Sequence, residues 1–151
     1  MFSELSAKEV YLISKLRQDV FILEQQSIYM DLDDLDQNSW HFVVFADSSA
    51  EPCLAAYARL RYLSEKNIYK IERVVCNKSY RGQGIGNLLI DNVLKKSLLL
   101  STRPRIYLSS QMSVMAFYEK FGFSKEGEVY DDGGIDHINM SVTLKTKNSQ
   151  V

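Results

Sequence analysis

The sequence lacks the features that mark several large classes of protein. Its two cysteines, Cys53 and Cys76, form neither a CxxC pair nor a regular framework, so we expect no disulfide scaffold, no metal site and two reduced thiols. Its apolar runs are much shorter than the roughly 20 residues of a membrane-spanning helix, and Met1–Glu4 is neither basic nor apolar enough to open a signal peptide. These absences predict a cytoplasmic protein with no membrane partner.

Positive and negative charges nearly balance in this sequence. Lysine and arginine number 18 and aspartate and glutamate 19, which gives a formal net charge of −1 over 151 residues. A balanced chain creates no field that attracts a polyanion, so we expect no nucleic-acid partner. The length fits one domain over residues 1–151, and the polar residues 145–151 are predicted to fray.

The sequence does contain a glycine loop between a strand pattern and a helix pattern. Ile71–Cys76 alternates with period 2, whereas Ile85–Leu94 carries apolar residues at helical spacing. The loop residues are Arg81, Gly82, Gln83, Gly84, Ile85 and Gly86. A helix N-terminus presents unpaired N–H groups and partial positive charge, glycine lets an anion approach the main chain, and Arg81 adds a formal charge. The pattern predicts a pyrophosphate site.

Two common nucleotide loops do not fit these residues. A Walker loop requires Lys-Ser or Lys-Thr after its last glycine, and neither pair follows Gly86. A dinucleotide fingerprint requires Gly-x-Gly-x-x-Gly with an acidic residue about 20 positions later, whereas the spacing here is Gly-x-Gly-x-Gly.

The order Arg-Gly-x-Gly-x-Gly after a strand resembles motif A of the GCN5-related N-acetyltransferases (GNAT), whose loop holds the pyrophosphate of acetyl-coenzyme A. Ala116–Phe123 is similar to that superfamily's Phe/Leu-Tyr-x-x-x-Gly-Phe helix end. Two further stretches resemble the ElaA-type branch. They are Leu16–Gln25, followed by Tyr29, Asp33, Asp36 and His41, and Gly134–Met140, in which Asp136 replaces a proline.

The resemblance implies an α/β (α+β) GNAT fold with a mixed, mostly antiparallel central sheet flanked by helices. A capping box at Ser6–Glu9 starts the first helix, so the first strand is predicted to be short or missing. The remaining predicted elements are a hairpin of Trp40–Phe45 and Leu54–Tyr62, the motif strand and helix, a strand Ile106–Gln111, a helix capped by Ser113, and a closing hairpin across Asp131–Gly134.

The acidic segment Tyr29–Asp36 invites a calcium-site interpretation. A loop starting at Asp31 would need Gly at its sixth position and Glu at its twelfth, and Asp36 and Phe42 stand there. We therefore predict a solvated loop for most of these acids, although such a cluster can also hold a cationic ligand.

The resemblance also implies roles for individual residues. The main chain of Val74, Val75 and Cys76 would pair with the pantetheine arm, and one of their N–H groups would polarise the thioester carbonyl. Tyr118 matches the superfamily's general acid, since a phenol is protonated at neutral pH. Gln111 stands where relatives often have a cofactor contact. The alternative for Tyr118 is a packing role.

The general base and the acceptor contacts stay open between alternatives. Strand alternation points Glu72 toward the cleft if Val74 faces there, and His137 is the rival base, with a hydrogen-bonded core imidazole as its alternative. Arg17 and Glu24 lie seven residues apart on one helical face and would line the acceptor cleft, or else belong to an ion-pair network.

The function implied is acetyl-CoA-dependent transfer of an acetyl group to a primary amine of a small molecule, peptide or protein by direct attack in a ternary complex. The alternative is a non-catalytic acyl-CoA-binding or sensor module on the same fold. An acid and a base beside the thioester favour the enzyme, because a pure binder needs neither. A homodimer is compatible with the sequence.

Overall fold

The structure is a computed structural model that describes residues 1–46 and 52–145. The described residues form two compact units. The first comprises Met1–Arg61 and Arg73–Leu94, and the second comprises Tyr62–Glu72 and the described part of Lys95–Val151. The single domain predicted from the length stays a prediction.

The first unit begins with a 3-10 turn at Phe2–Glu4 and helix α1 at Ala7–Arg17. The predicted capping box is confirmed: the Ser6 hydroxyl accepts from the Glu9 N–H at 3.2 Å, and the Glu9 carboxylate accepts from the Ser6 N–H at 2.8 Å. A π-helix, Gln18–Glu24, continues α1.

Strands β1 (Trp40–Ala46) and β2 (Cys53–Leu63) follow a 3-10 turn at Asp36–Asn38 and pair antiparallel. The predicted hairpin is therefore confirmed, while residues 47–51 of its connection lie outside the described residues. Apolar side chains of α1 and of the π-helix pack on this sheet. The buried core members are Ile13, Leu16, Val20, Leu54, Tyr57 and Val75.

Strand β3 spans Ile68–Cys76, and a 3-10 turn at Lys78–Tyr80 leads into the glycine loop and helix α2, Ile85–Leu100. In α2, Leu89, Ile90 and Val93 are buried, whereas Leu88 is exposed. Strand β3 has one irregular residue, because Arg73 has a φ of 55°. Residues other than glycine rarely adopt this left-handed conformation.

The second unit contains β4 (Arg105–Gln111), a 3-10 turn at Met112–Val114, α3 (Met115–Glu119), β5 (Ser124–Asp132) and β6 (Ile135–Thr143). The predicted Ser113 cap is wrong, because Val114 occupies the N-cap position and makes no side-chain cap bond. The β5–β6 turn uses Gly133 and Gly134 at φ 66° and 88°, as expected for a two-residue hairpin loop.

The hydrogen-bonded strand order is β1-β2-β3-β4-β6-β5. Strand β3 pairs parallel with β4, through Tyr69–Ile106 and Lys70–Tyr107, while the β1–β2, β4–β6 and β5–β6 pairs are antiparallel. The predicted mixed, mostly antiparallel sheet flanked by helices is confirmed. In the described ranges, the first strand of the chain is Trp40–Ala46.

No helix in residues 1–46 and 52–145 is both long and apolar enough to cross a membrane. Both cysteines are free thiols.

Candidate active site

The glycine loop has the backbone of an anion site. Gly82 and Gly84 adopt φ of 75° and 81°, and the first intrahelical bond of α2 runs from the Leu88 N–H to the Gly84 carbonyl at 3.1 Å. The N–H groups that precede Leu88 at the helix start have no intrahelical acceptor. A Cβ added at either glycine would project into open space. The loop therefore fits an anion that approaches the main chain.

Arg81 does not extend as a free cation beside this loop. Its Nε donates to the Cys76 carbonyl at 3.0 Å, and its two terminal nitrogens donate to the two Glu24 carboxylate oxygens at 2.6 and 3.0 Å. These bonds from Arg81 lower the pKa of Glu24. The structure thus pairs two residues for which the sequence predicts separate roles, an anion contact and an acceptor contact.

Gln83 folds back on the loop, because its Nε2 donates to the Ser79 carbonyl at 3.0 Å. The Asn77 side chain accepts from the Ser79 N–H at 3.0 Å, and the Asn77 N–H donates to the Ala55 carbonyl at 2.8 Å. The loop is therefore also held by its own polar groups and by β2.

The end of β3 carries the residues predicted to bind pantetheine. Val75 is buried, while Val74 and Cys76 are half-buried, and burial raises the pKa of the Cys76 thiol. The left-handed Arg73 separates Glu72 from Val74, so pleat alternation does not connect the directions of these two side chains. Glu72 lies in an ion pair with Lys70, with Oε1 2.9 Å from Nζ.

A closed ring of six alternating charges lies in the first unit, and we call it the charge ring. Arg17 bridges Asp31 and Asp36, at 2.8 and 2.9 Å. Arg59 bridges Asp36 and Asp33, at 2.9 and 2.7 Å. Arg73 bridges Asp33 and Asp31, at 3.0 and 2.8 Å. Three positive and three negative charges therefore balance.

The solvated loop predicted for the acidic segment is wrong for the three ring aspartates, whereas Asp34 is exposed. The Arg17 and Arg59 side chains are 1% and 0% exposed, and that of Arg73 is 18% exposed. A buried arginine needs anionic partners to offset its lost hydration. Arg17 is thus in the ion-pair network that the sequence left open as its alternative.

One sequence signal could have revealed the charge ring. Arg59 stands in the strand Leu54-Ala-Ala-Tyr-Ala-Arg-Leu60, whose other members are all apolar or aromatic. A cation in a strand buried on both faces requires acids from elsewhere in the chain. The acidic segment supplies them, and its apolar residues Met30 and Leu32 are exposed instead.

His41 also connects to the charge ring. Its Nε2 lies 2.8 Å from the Asp36 carbonyl and must donate there, so Nδ1, 2.8 Å from the Tyr57 hydroxyl, accepts from that hydroxyl in the neutral ring. Burial lowers the pKa of His41, which favours this neutral form. The structure gives His41 a structural position.

Tyr118, the predicted general acid, lies on α3 in the second unit and is buried. Its ring meets Phe117 and Phe123 edge-on, with centroid distances of 5.0 and 6.0 Å. Burial raises the pKa of the Tyr118 phenol above its ordinary value, so the hydroxyl holds its proton at neutral pH.

His137 lies in β6 of the same unit, between Gln111 of β4 and Tyr130 of β5. It stands opposite Gln111 in the β4–β6 ladder and opposite Tyr130 in the β5–β6 ladder, and its ring stacks on Tyr130 at 6.0 Å. Nδ1 lies 2.7 Å from the Ile135 carbonyl and donates to it. In the neutral ring, Nε2 is therefore the nitrogen that can accept a proton.

No group of three or more His, Cys, Asp and Glu side chains in residues 1–46 and 52–145 is arranged to hold a metal ion.

Comparison with known proteins places this geometry in a family. A sequence model of the acetyltransferase (GNAT) domain matches residues 6–144. The chain is 36% identical to a UPF0039 protein of Synechocystis over 92% of this chain and 89% of the relative. It superimposes with a TM-score of 0.82 on an acyl-CoA N-acyltransferase from Pseudomonas aeruginosa, at 33% identity and 93% coverage of both chains.

Escherichia coli ElaA gives the same TM-score of 0.82, at 31% identity over 93% of both chains. The ElaA-type resemblance of the sequence is confirmed. The chain therefore belongs to the GNAT acetyltransferase family, with ElaA and UPF0039 proteins among its relatives.

Proposed function

We propose that this protein is an acetyl-CoA-dependent N-acetyltransferase that acts on a primary amine of a small molecule or protein by direct attack in a ternary complex. The observation that carries the proposal is the glycine loop, in which Gly82 and Gly84 turn left-handed immediately before α2 and leave open space beside the main chain. The similarity to an acyl-CoA N-acyltransferase at 33% identity supports the same function.

The residues of the first unit would hold coenzyme A. The N–H groups of Gly84, Ile85 and Gly86 at the start of α2 would donate to the pyrophosphate, and Gly82 would keep the approach open. The main chain of Val74–Cys76 would pair with the pantetheine amides, and one of its N–H groups would donate to the thioester carbonyl. Gln111 is proposed as a further cofactor contact.

The reaction forms a C–N bond and breaks a C–S bond, so one proton leaves the amine and one reaches the departing thiolate. Tyr118 suits the second transfer, because its buried phenol stays protonated. His137 suits the first transfer, because its Nδ1–H is committed to the Ile135 carbonyl and Nε2 is left to accept. Glu72 stays as the alternative base, and its carboxylate already lies in an ion pair with Lys70.

The roles of Arg17 and Glu24 as acceptor contacts are not part of the proposal, because both side chains are held in ion pairs with protein groups. We propose the cytoplasm as the compartment, where acetyl-CoA and reduced thiols coexist.

The experiment is a thiol-release assay. Purified protein with acetyl-CoA is offered amines of several classes, including polyamines, amino sugars and peptides with free amino groups, while coenzyme A affinity is measured by calorimetry. We expect coenzyme A binding and release of free thiol with at least one class, together with a mass gain of one acetyl group on that amine. Coenzyme A binding without thiol release for any class of amine would favour the non-catalytic sensor module. Absence of coenzyme A binding would contradict both the enzyme and the sensor module.

A further inference from the structure

Arg73 holds an unusual backbone immediately before the proposed cofactor strand. Its φ of 55° lies in the left-handed region, which an L-residue with a long side chain adopts only when its surroundings enforce it. The burial pattern of β3 changes there, since Glu72, Arg73 and Val74 are all half-buried between the buried Ile71 and Val75. The regular alternation of the strand is therefore interrupted at this residue.

The surroundings that enforce this backbone are visible in the contacts of its side chain. The Arg73 Nε lies 2.8 Å from an Asp31 carboxylate oxygen, and one terminal nitrogen donates to Asp33 at 3.0 Å. The same nitrogen reaches the Asp31 carbonyl at 3.3 Å. The guanidinium also lies over the Tyr29 ring, 5.2 Å from its centroid. Arg73 is thus fixed from one segment, Tyr29–Asp33, by charge and by stacking.

That segment is in turn anchored to the core. Arg17 donates to the Asp31 carboxylate and carbonyl at 2.8 and 2.6 Å, and Arg59 donates to both Asp33 oxygens at 2.7 and 2.8 Å. Because Arg17 and Arg59 are fully buried on α1 and β2, the two aspartates have little freedom to follow Arg73.

We propose that Arg73 is a positioning residue, and that the charge ring holds its left-handed backbone and thereby sets the course of the main chain at Val74–Cys76. The inference rests on the proposed function in one respect, that these three residues pair with the pantetheine arm. Arg73 itself touches neither cofactor nor acceptor in this account. It acts on the N–H and carbonyl groups that follow it.

The first test separates the pantetheine arm from the pyrophosphate. Arg73→Lys keeps the charge, but one ammonium cannot reproduce the guanidinium fork that bridges two carboxylates. Calorimetry should show coenzyme A binding at least tenfold weaker than in the parent, while ADP, which has a pyrophosphate but no pantetheine, binds both proteins equally. The control is Arg105→Lys, which alters an exposed pair with Glu126 and should change neither affinity. Equal loss for both ligands, or no loss, would overturn the proposal.

The second test uses glycine, which adopts positive φ without steric cost but has no side chain to anchor. If the ring sets the main chain, amide hydrogen exchange at residues 74–76 of Arg73→Gly, measured without ligand, should be faster than in the parent by at least tenfold. The amides of the core strand segment Ala55–Ala58 should stay as protected from exchange as in the parent, which would show that the variant is folded. Parent-like exchange at residues 74–76 would mean that the left-handed backbone needs no anchor.

The exchange experiment requires no cofactor, so it distinguishes two failures. A parent that binds no coenzyme A would overturn the proposed function, while faster exchange in Arg73→Gly would still support the role of the ring. A parent that binds coenzyme A, with Arg73 variants that bind it equally well, would overturn the positioning role alone.

Discussion

Arg81 and Glu24, which are 57 residues apart in the sequence, form two parallel hydrogen bonds of 2.6 and 3.0 Å between guanidinium and carboxylate. The pair joins the end of the π-helix to the start of the glycine loop. It also balances the one formal positive charge within the loop motif, so within that motif the N–H groups at the start of α2 are what attracts an anion.

Glu24→Gln should therefore tighten the binding of coenzyme A. Removing the carboxylate leaves the Arg81 charge unopposed near the loop, and we expect a gain of about threefold to tenfold at low salt, or roughly 0.7 to 1.4 kcal/mol. The gain should disappear in 1 M salt, where charges are screened. Calorimetry at two salt concentrations checks this, with Glu126→Gln as the matched control from another exposed pair. Weaker binding at both concentrations would show that the pair is needed to hold the loop.

Gly84→Val should weaken coenzyme A binding by well over tenfold, about 1.4 kcal/mol or more. The side chain would enter the open space beside the loop and would also strain a residue whose φ is 81°. Gly134→Val is the control, because Gly134 has a φ of 88° and equally open space but lies in the β5–β6 turn. Similar stability of the two variants, with affinity lost only in the first, is the expected result.

Tyr118→Phe should lower kcat by about 10² to 10⁴ and leave the KM for acetyl-CoA nearly unchanged, because the proton is needed only as the C–S bond breaks. The aromatic contacts with Phe117 and Phe123 survive the change, so stability should hardly move. Single-turnover rates with a confirmed acceptor measure the effect. A Phe variant as fast as the parent would reduce Tyr118 to a packing residue.

The pH profile gives a further prediction for the same residue. Burial raises the pKa of Tyr118 above the ordinary value of 10.0, so its phenol stays protonated up to at least that pH. Any alkaline decline of kcat below pH 10 should therefore persist in the Tyr118→Phe variant. A decline that vanished in the variant would place the Tyr118 pKa lower than the structure indicates.

His137→Gln should remove or shift the acidic limb of kcat/KM, because a protonated Nε2 cannot accept from the amine. Glu72→Gln is the paired variant, and we expect it to leave that limb in place. Rates measured from pH 5 to 9 decide between them. If the limb moves only in Glu72→Gln, the carboxylate is the base, and if it moves in neither, the amine arrives neutral.

Asp33→Asn should destabilise the fold by about 2 kcal/mol at neutral pH, because it leaves the buried Arg59 with one fewer carboxylate. The hydrogen bonds from Arg59 hold the pKa of Asp33 well below its ordinary value of 3.8. The stabilisation is thus fully present above pH 3.8 and is lost as the pH falls further, toward the lower pKa of the folded state.

Urea unfolding at several pH values checks the direction in which the stabilisation by Asp33 changes with pH. The difference between parent and Asp33→Asn should be constant from pH 7 to 5 and should shrink below about pH 3.8. Asp34→Asn is the matched control, since Asp34 is the exposed neighbour and asparagine tolerates its φ of 61°. A difference that grows on acidification would contradict the assignment.

The sequence by itself determined the features whose causes are local. The capping box at Ser6–Glu9, the glycine turn at Gly133–Gly134, and the change of period across the glycine loop depend on residues within a few positions of each other, and the structure contains all three. Local hydrogen bonds, allowed φ values and apolar periodicity act before any long-range contact forms, and motifs built on them are therefore readable from the chain.

Only the tertiary structure decided which charges meet. The acidic segment looked solvated because its partners, Arg17, Arg59 and Arg73, come from a helix and two strands up to 42 residues away. Arg81 looked available because Glu24 lies 57 residues before it. An ion pair needs specific atoms within about 4 Å, and neither composition nor spacing encodes that distance. The left-handed backbone at Arg73 has the same origin, because the force that holds it comes from contacts that exist only after folding.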